Sequence, residues 1–229
     1  MKVIHVAGWS GSGKTTFIVD LIRALSAYGS VGTVKHIGDH IIDQESGKDT
    51  TRHYEMGAVI TAGIDLEKTL ITSRSTSLSA ALDMLCNAGV RYAIVEGFKK
   101  VRFQKVVFGD IDTPALARNP CVSDLISLLP HFDEYYTLEG LIAELDSDEP
   151  EGVIACVKGI IPFPDDEKAV RQEADLSRMD GILGARVRVN PMVFTPHPEY
   201  FIVIKGKEHT SVLNALSNCI WPLSPEKNL

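Results

Sequence analysis

The chain is short of the residues that mark several common protein classes. Its four cysteines, Cys86, Cys121, Cys156 and Cys219, form no C-x-x-C pair. Such spacing suggests neither a zinc knuckle nor a disulfide-rich secreted scaffold, and the thiols are expected to be reduced and mostly buried. Positive charge is also scarce: 23 Lys and Arg against 30 Asp and Glu leave a net charge of −7. That balance argues against general nucleic-acid binding, which needs a basic footprint. No apolar run reaches the roughly 18 residues of a membrane span. The N-terminus enters an apolar strand directly, so no signal peptide is expected. No internal repeat or low-complexity tract is present. What these absences leave is a cytoplasmic globular protein. Its 229 residues, 45% of them hydrophobic, can build one large or two modest domains.

Against this plain background one motif stands out. The apolar run Val3 to Ala7 leads into Gly8-Trp9-Ser10-Gly11-Ser12-Gly13-Lys14-Thr15-Thr16, the G-x-x-x-x-G-K-[ST] pattern of a phosphate-binding loop. Its glycines, Gly8, Gly11 and Gly13, let backbone N–H groups around Ser10 and Ser12 turn inward on an anion. Lys14 brings a point charge to the β- and γ-phosphates, and the Thr15 hydroxyl can bind Mg²⁺. A helix from Thr15 to about Ala27 would add the positive end of its dipole beside Thr16. The segment therefore predicts a nucleoside triphosphate site.

The remaining pattern places other elements around it. Val31 to His36 reads as a buried strand and Thr50 to Met56 as a helix ending at Gly57. Two β-rich runs, Ala58 to Ala62 and Thr69 to Thr72, flank a hairpin connection. Ser77 to Asn87 has helical periodicity with Gly89 as its stop. Tyr92 to Val95 and Val106 to Phe108 read as strands, and Leu138 to Leu145 as a helix. The alternation predicts an α/β fold of the P-loop NTPase kind, with a doubly wound, largely parallel sheet. The acidic, proline-containing stretch from Asp146 to Gly152 marks a boundary between residues 1–146 and 153–229. Beyond it a βαββα rhythm predicts a small α+β module: strands at Val153 to Val157, Ala185 to Val189 and Tyr200 to Ile204, helices at Asp165 to Asp175 and Ser211 to Ile220.

Several polar residues fall where strands end. Glu96 follows Ala93-Ile94-Val95, and in an open α/β sheet that position borders the ligand crevice near Lys14 and Thr15. Its carboxylate can hold Mg²⁺ through water or orient an attacking water; a strand-end loop cap is the plainer alternative. Lys35-His36 end the second strand, where His36 can meet a phosphate or a second substrate or be structural. His36, His40 and Asp43 fit no standard metal-site spacing. In Gly47-Lys48-Asp49, Asp49 reads as a helix N-cap. Lys99, Lys100, Arg102 and Lys105 put four positive charges beside the site, suited to an anionic substrate or acidic partner, or to a solvated basic turn. Lys205, Lys207 and His209 can bind an anion, with a solvated strand end as the plainer reading.

No N-K-x-D or T-K-x-D tetrad is present, so base preference does not follow from the residues. Taken in order, Gly8 to Thr16, Val34-Lys35-His36, Gly47-Lys48-Asp49 with Arg52, Gly57-Ala58, Val95-Glu96-Gly97-Phe98-Lys99 and Lys105 to Phe108 resemble the molybdopterin-guanine dinucleotide biosynthesis adapter proteins, the MobB family. V-E-G-F-K makes the resemblance specific, and it covers about residues 1–145. It implies a GTP-binding, Mg²⁺-dependent adapter of low hydrolytic activity. Lys14, Thr15, Lys35, His36, Lys48, Asp49 and Lys99 would stand at the nucleotide, with Thr15 and Glu96 at the metal. It also implies a homodimer that assists the nucleotidyltransferase joining GMP to molybdopterin, or other molybdenum-cofactor enzymes. A small-molecule kinase on the same scaffold is the alternative, for which Arg52, Arg74 and Arg102 would have to converge on the phosphates.

Overall fold

The computed structural model describes residues 1–38, 42, 48–148, 151–161, 166–194 and 197–219. Strand β1 (Lys2–Gly8) is buried from Val3 onward, as a strand flanked on both faces must be. Helix α1 (Lys14–Leu25) starts directly after Gly13, and its apolar stripe of Phe17, Ile18, Leu21 and Leu25 is buried. Strand β2 (Val31–Lys35) and helix α2 (Asp49–Glu55) follow. Strands β3 (Ile60–Ile64) and β4 (Thr69–Ser73) form an antiparallel hairpin. The first of these begins later than the composition suggests, because Gly57 and Ala58 close the helix by donating to Tyr54 O and His53 O. Helix α3 (Leu78–Asn87) is capped by Ser77, whose hydroxyl accepts from Ala80 N.

Strands β5 (Tyr92–Glu96), β6 (Lys105–Phe108) and β7 (Ala117–Arg118) complete the first sheet. Its order is β2-β5-β1-β6-β7, and every pairing is parallel. Helix α4 (Val122–Leu128) packs Leu125 beside α1 on one face, against Ile4 and Val6. On the other face α3 packs Leu78 and Leu82 against Val3, Ala93 and Val95. Helices on both faces make the sheet doubly wound, as the strand–helix alternation predicts. Neither β7 nor α4 was expected. The strand is two residues long, and α4 is capped not by a serine or threonine but by Cys121, whose N–H donates to Asp124 at 3.1 Å in a capping box.

Helix α5 (Leu138–Asp148) turns towards the second sheet. There β8 (Val153–Ile160), α6 (Asp166–Ser177), β9 (Ile182–Val189), β10 (Glu199–Gly206) and α7 (His209–Ser217) follow in the expected βαββα order. The sheet is antiparallel, with β10 between β8 and β9. Side-chain alternation along β10 serves two cores. Tyr200, Ile202 and Ile204 meet the cluster of α6 and α7, whereas Phe201 and Val203 meet Leu141 and Leu145 of α5.

The two sheets are joined by specific contacts. The Asn190 side chain accepts from Tyr136 N at 2.8 Å and donates to Tyr136 O at 2.9 Å. Val193 packs on the cluster containing Phe103, and the Phe194 ring meets the rings of Phe103 and Tyr135 edge-on at 5.7 and 6.2 Å. The expectation that the cysteines are mostly buried fails: only Cys86 is buried, Cys219 is half-buried, and Cys121 and Cys156 are exposed. Cys121 sits at the exposed start of α4, and Cys156 faces outward from β8.

Candidate nucleotide site

The chain leaves β1 towards β2 on one side of the sheet and leaves β5 towards β6 on the other. Ligand crevices in open α/β sheets form where connections diverge in this way, beyond the carboxyl ends of the strands. Gly8 ends β1 and Glu96 ends β5, and Val6 and Glu96 are register partners. The anion loop and the candidate acid are thus brought together by the strand order.

The loop has the backbone that its glycines predict. Gly11 and Gly13 take φ values of 76° and 84°, left-handed conformations that favour glycine. At Gly8 the reason differs: a Cβ there would lie 2.7 Å from Phe108 O, so glycine is required by the close approach of β6. Ser12 donates to Trp9 O through both its backbone N–H, at 3.3 Å, and its hydroxyl, at 2.8 Å. Lys14 Nζ donates to the same carbonyl at 2.5 Å, arching over the loop. Burial lowers the Lys14 pKa below the ordinary lysine value; Lys99 and Lys35 add to the lowering and Glu96 opposes it.

A crevice of about 1130 Å³ opens at this point, lined by Gly8, Ser10, Gly11, Gly13, Lys14, Thr15, Thr16, Lys35, His36, Glu96, Lys99 and Lys100, among others. The structure brings together most of the residues that the sequence singles out, Lys35, His36 and Lys99 included. Ser12 braces the loop from within. Lys48 and Asp49 do not line the crevice. Lys48 is the N-cap of α2 and Asp49 its first helical residue, which corrects the reading of Asp49 as the cap. Asp39, His40, Asp43 and Gly47 lie outside the described residues.

Within the crevice Lys35 Nζ lies 3.4 Å from Glu96 Oε2. The His36 ring packs on Phe98 with centroids 4.7 Å apart, and Lys99 Nζ stands 3.9 Å from the Trp9 ring centroid. Among the described residues Lys14, Lys35, Lys99 and Lys100 line the crevice with one carboxylate, so a chain of net negative charge presents local positive charge here. Thr15 and Glu96 offer hard oxygen donors of the type Mg²⁺ takes. No group of three or more metal-ligating side chains occurs among the described residues.

Two expectations need correction. Lys105 is not part of an exposed basic strip: it is 6% exposed, and Nζ donates to Lys99 O at 3.2 Å and Val101 O at 2.6 Å. Lys205 is not solvated but 2% exposed, with Nζ 2.6 Å from Asp146 Oδ1. Sequence reasoning also passed over Trp9 as a partner of Lys99, and over His5. The available signal for His5 was an ionisable ring inside an otherwise apolar strand.

The family model described as "Molybdopterin guanine dinucleotide synthesis protein B" matches residues 3–127, more than half of the chain. A Methanocaldococcus jannaschii protein with the adapter designation is 31% identical over 100 residues, 44% of this chain and 42% of its own. The Escherichia coli molybdopterin-guanine dinucleotide biosynthesis adapter protein is 32% identical over 113 residues, 47% of this chain and 65% of its own. The matched segment thus spans between 42% and 65% of these relatives' lengths. The crystal structure of Bacillus subtilis MobB is similar with a TM-score of 0.43 at 26% identity, over 52% of this chain and 77% of that one. No helix among the described residues is long and apolar enough to cross a membrane. The anion loop, Lys35, Glu96 and Lys99 all fall inside the matched segment, and the chain belongs to the MobB family.

Proposed function

We propose that the protein is a cytoplasmic GTP-binding adapter that assists the attachment of GMP to molybdopterin. The observation that carries the reading is the crevice itself: among the described residues it holds an anion loop, four lysines and one carboxylate at the ends of adjacent parallel strands. A polyphosphate fits that charge pattern, with the loop N–H groups and Lys14 on the phosphates. Thr15 and Glu96 would hold Mg²⁺, which when bound supplies neutralising charge to the phosphates. Weak hydrolysis accords with the site. No arginine lines the crevice among the described residues, and a guanidinium is a common means of stabilising phosphoryl-transfer charge. Guanine preference and the assisted nucleotidyltransferase follow the family designation carried by the relatives.

The kinase reading is less well supported. Arg74 donates to Tyr54 O and to Ala58 O and stacks over the Tyr54 ring, away from the phosphate loop. A homodimer is supported by the β3–β4 hairpin. Ile60, Ile64 and Ile71 share one of its faces and are 60%, 80% and 44% exposed, whereas α2 covers the other face at Thr61.

Calorimetry with Mg²⁺ tests the nucleotide. GTP should bind the native chain and not Lys14→Ala, whereas tight ATP binding without GTP binding would overturn the guanine assignment. Capture of a molybdopterin nucleotidyltransferase by the native chain, and its loss in Lys14→Ala, tests the adapter role.

A further inference from the structure

Two basic side chains lie beneath the loop that follows Glu96, outside the crevice lining. His5 on β1 and Lys105 on β6 are register partners, 0% and 6% exposed. His5 Nε2 is 2.6 Å from Gly97 O. A carbonyl only accepts, so Nε2 carries a proton; burial, reinforced by Lys105 and opposed by the Gly97 and Phe103 carbonyls, lowers the ring's pKa from 6.5 to about 4, which keeps it neutral near pH 7. Lys105 Nζ donates to Lys99 O and Val101 O. Two side chains thus gather three alternate carbonyls, those of residues 97, 99 and 101.

The gathered loop is bent where it needs holding. Gly97 takes φ 95° and Phe98 φ 46°, and for a phenylalanine the left-handed region is costly without support. On its upper side the same loop lines the crevice, and Lys99 reaches the Trp9 ring of the anion loop. Among the described residues Lys105 has no carboxylate in ion-pair reach, and an apolar residue of similar size would pack there at lower desolvation cost. Its presence is explained by geometry rather than by packing.

We propose that His5 and Lys105 are positioning residues of the nucleotide site, holding the loop 97–101 so that Lys99 stands against Trp9 and faces the phosphates. This rests on the nucleotide-binding reading above, and the test separates the two.

The experiment uses the full chain in a Trp221→Phe background, where Trp9 is the remaining tryptophan. Without nucleotide, Lys99→Ala should change Trp9 emission. Lys105→Met, which keeps the apolar stem, should produce the same change, and the double variant no further one. With GTP, Lys105→Met and Lys99→Ala should each weaken binding about ten-fold, and the pair by little more than either alone. His5→Phe should weaken binding similarly, whereas His5→Gln, which retains an N–H donor, should stay within about two-fold of the native value. Additive losses, an unchanged Trp9 signal in folded Lys105→Met, or equal losses in His5→Phe and His5→Gln would overturn the proposal. If Lys105→Met does not fold, the two His5 variants decide. Absence of GTP binding to the native chain, with the Trp9 pattern intact, would support the placement of Lys99 and overturn the nucleotide reading instead.

Discussion

Lys205 on β10 and Asp146 on α5 form an ion pair of 2.6 Å in which the lysine is almost wholly buried and the aspartate half-exposed. Strand alternation explains it. Phe201, Val203 and Lys205 lie on the face that α5 covers, so the ammonium must find an acceptor on that helix. Asp146→Ala should cost about 1–3 kcal/mol, because the cation stays buried after losing one of its partners. Asp146→Asn, which retains an acceptor, should cost less. Urea denaturation followed by far-UV circular dichroism measures both.

His5 makes stability pH-dependent. Its pKa is lowered from 6.5 to about 4 in the folded chain, so between those values the unfolded chain binds the extra proton. This contribution is therefore fully present above pH 6.5 and falls as the pH drops towards 4, by up to about 3 kcal/mol. His5→Gln should flatten the dependence over that window. Denaturant midpoints at a series of pH values are the measurement, and an equal slope in both proteins would contradict the assignment.

Two glycines of the anion loop should respond differently to alanine. At Gly8 the new Cβ would press on Phe108 O at 2.7 Å, forcing β1 and β6 apart at the mouth of the crevice. At Gly11 nothing lies within 4 Å, and the penalty is only the left-handed backbone. Gly8→Ala should lose about 1–3 kcal/mol and abolish nucleotide binding, and Gly11→Ala should lose about 1 kcal/mol. Thermal melts with and without GTP give the ranking.

If the hairpin face forms the dimer contact, Ile64→Asp combined with Ile71→Asp should convert a dimer to a monomer in sedimentation velocity. GTP affinity per chain should be unchanged, because neither residue lines the crevice. A native chain that sediments as a monomer at all concentrations would remove the dimer from the reading.

Much of the site was legible because its chemistry is local in sequence. Gly8 to Thr16 carries its own turn geometry, and the exits of Lys35 and Glu96 from apolar runs put them at strand ends, which parallel pairing then aligns. What was not legible depends on contacts across the fold. Lys105 looks like one of four clustered cations, and only its place on a strand packed under the loop buries it. Lys205 looks like a strand-end charge until α5 covers its face. Helix α4 lacks a Ser, Thr, Asp or Asn at its N-cap and a glycine stop, so its signal lay in four apolar positions, Val122, Leu125, Ile126 and Leu128, that join the cluster of α1.

The order of strands in the first sheet also has a temporal side. β1 lies between β5 and β6, joining Lys2 to Tyr92 and His5 to Lys105, and β2 pairs with β5. During synthesis the first strand must wait for its sheet neighbours until about 90 further residues have been made. An apolar strand and the greasy side of α1 must wait unpaired through that interval, which is the stage most open to chaperone capture or aggregation. The second sheet makes no such demand, because its strands pair within a single short stretch of chain. The anion loop is thus made well before the strands that fix it in place.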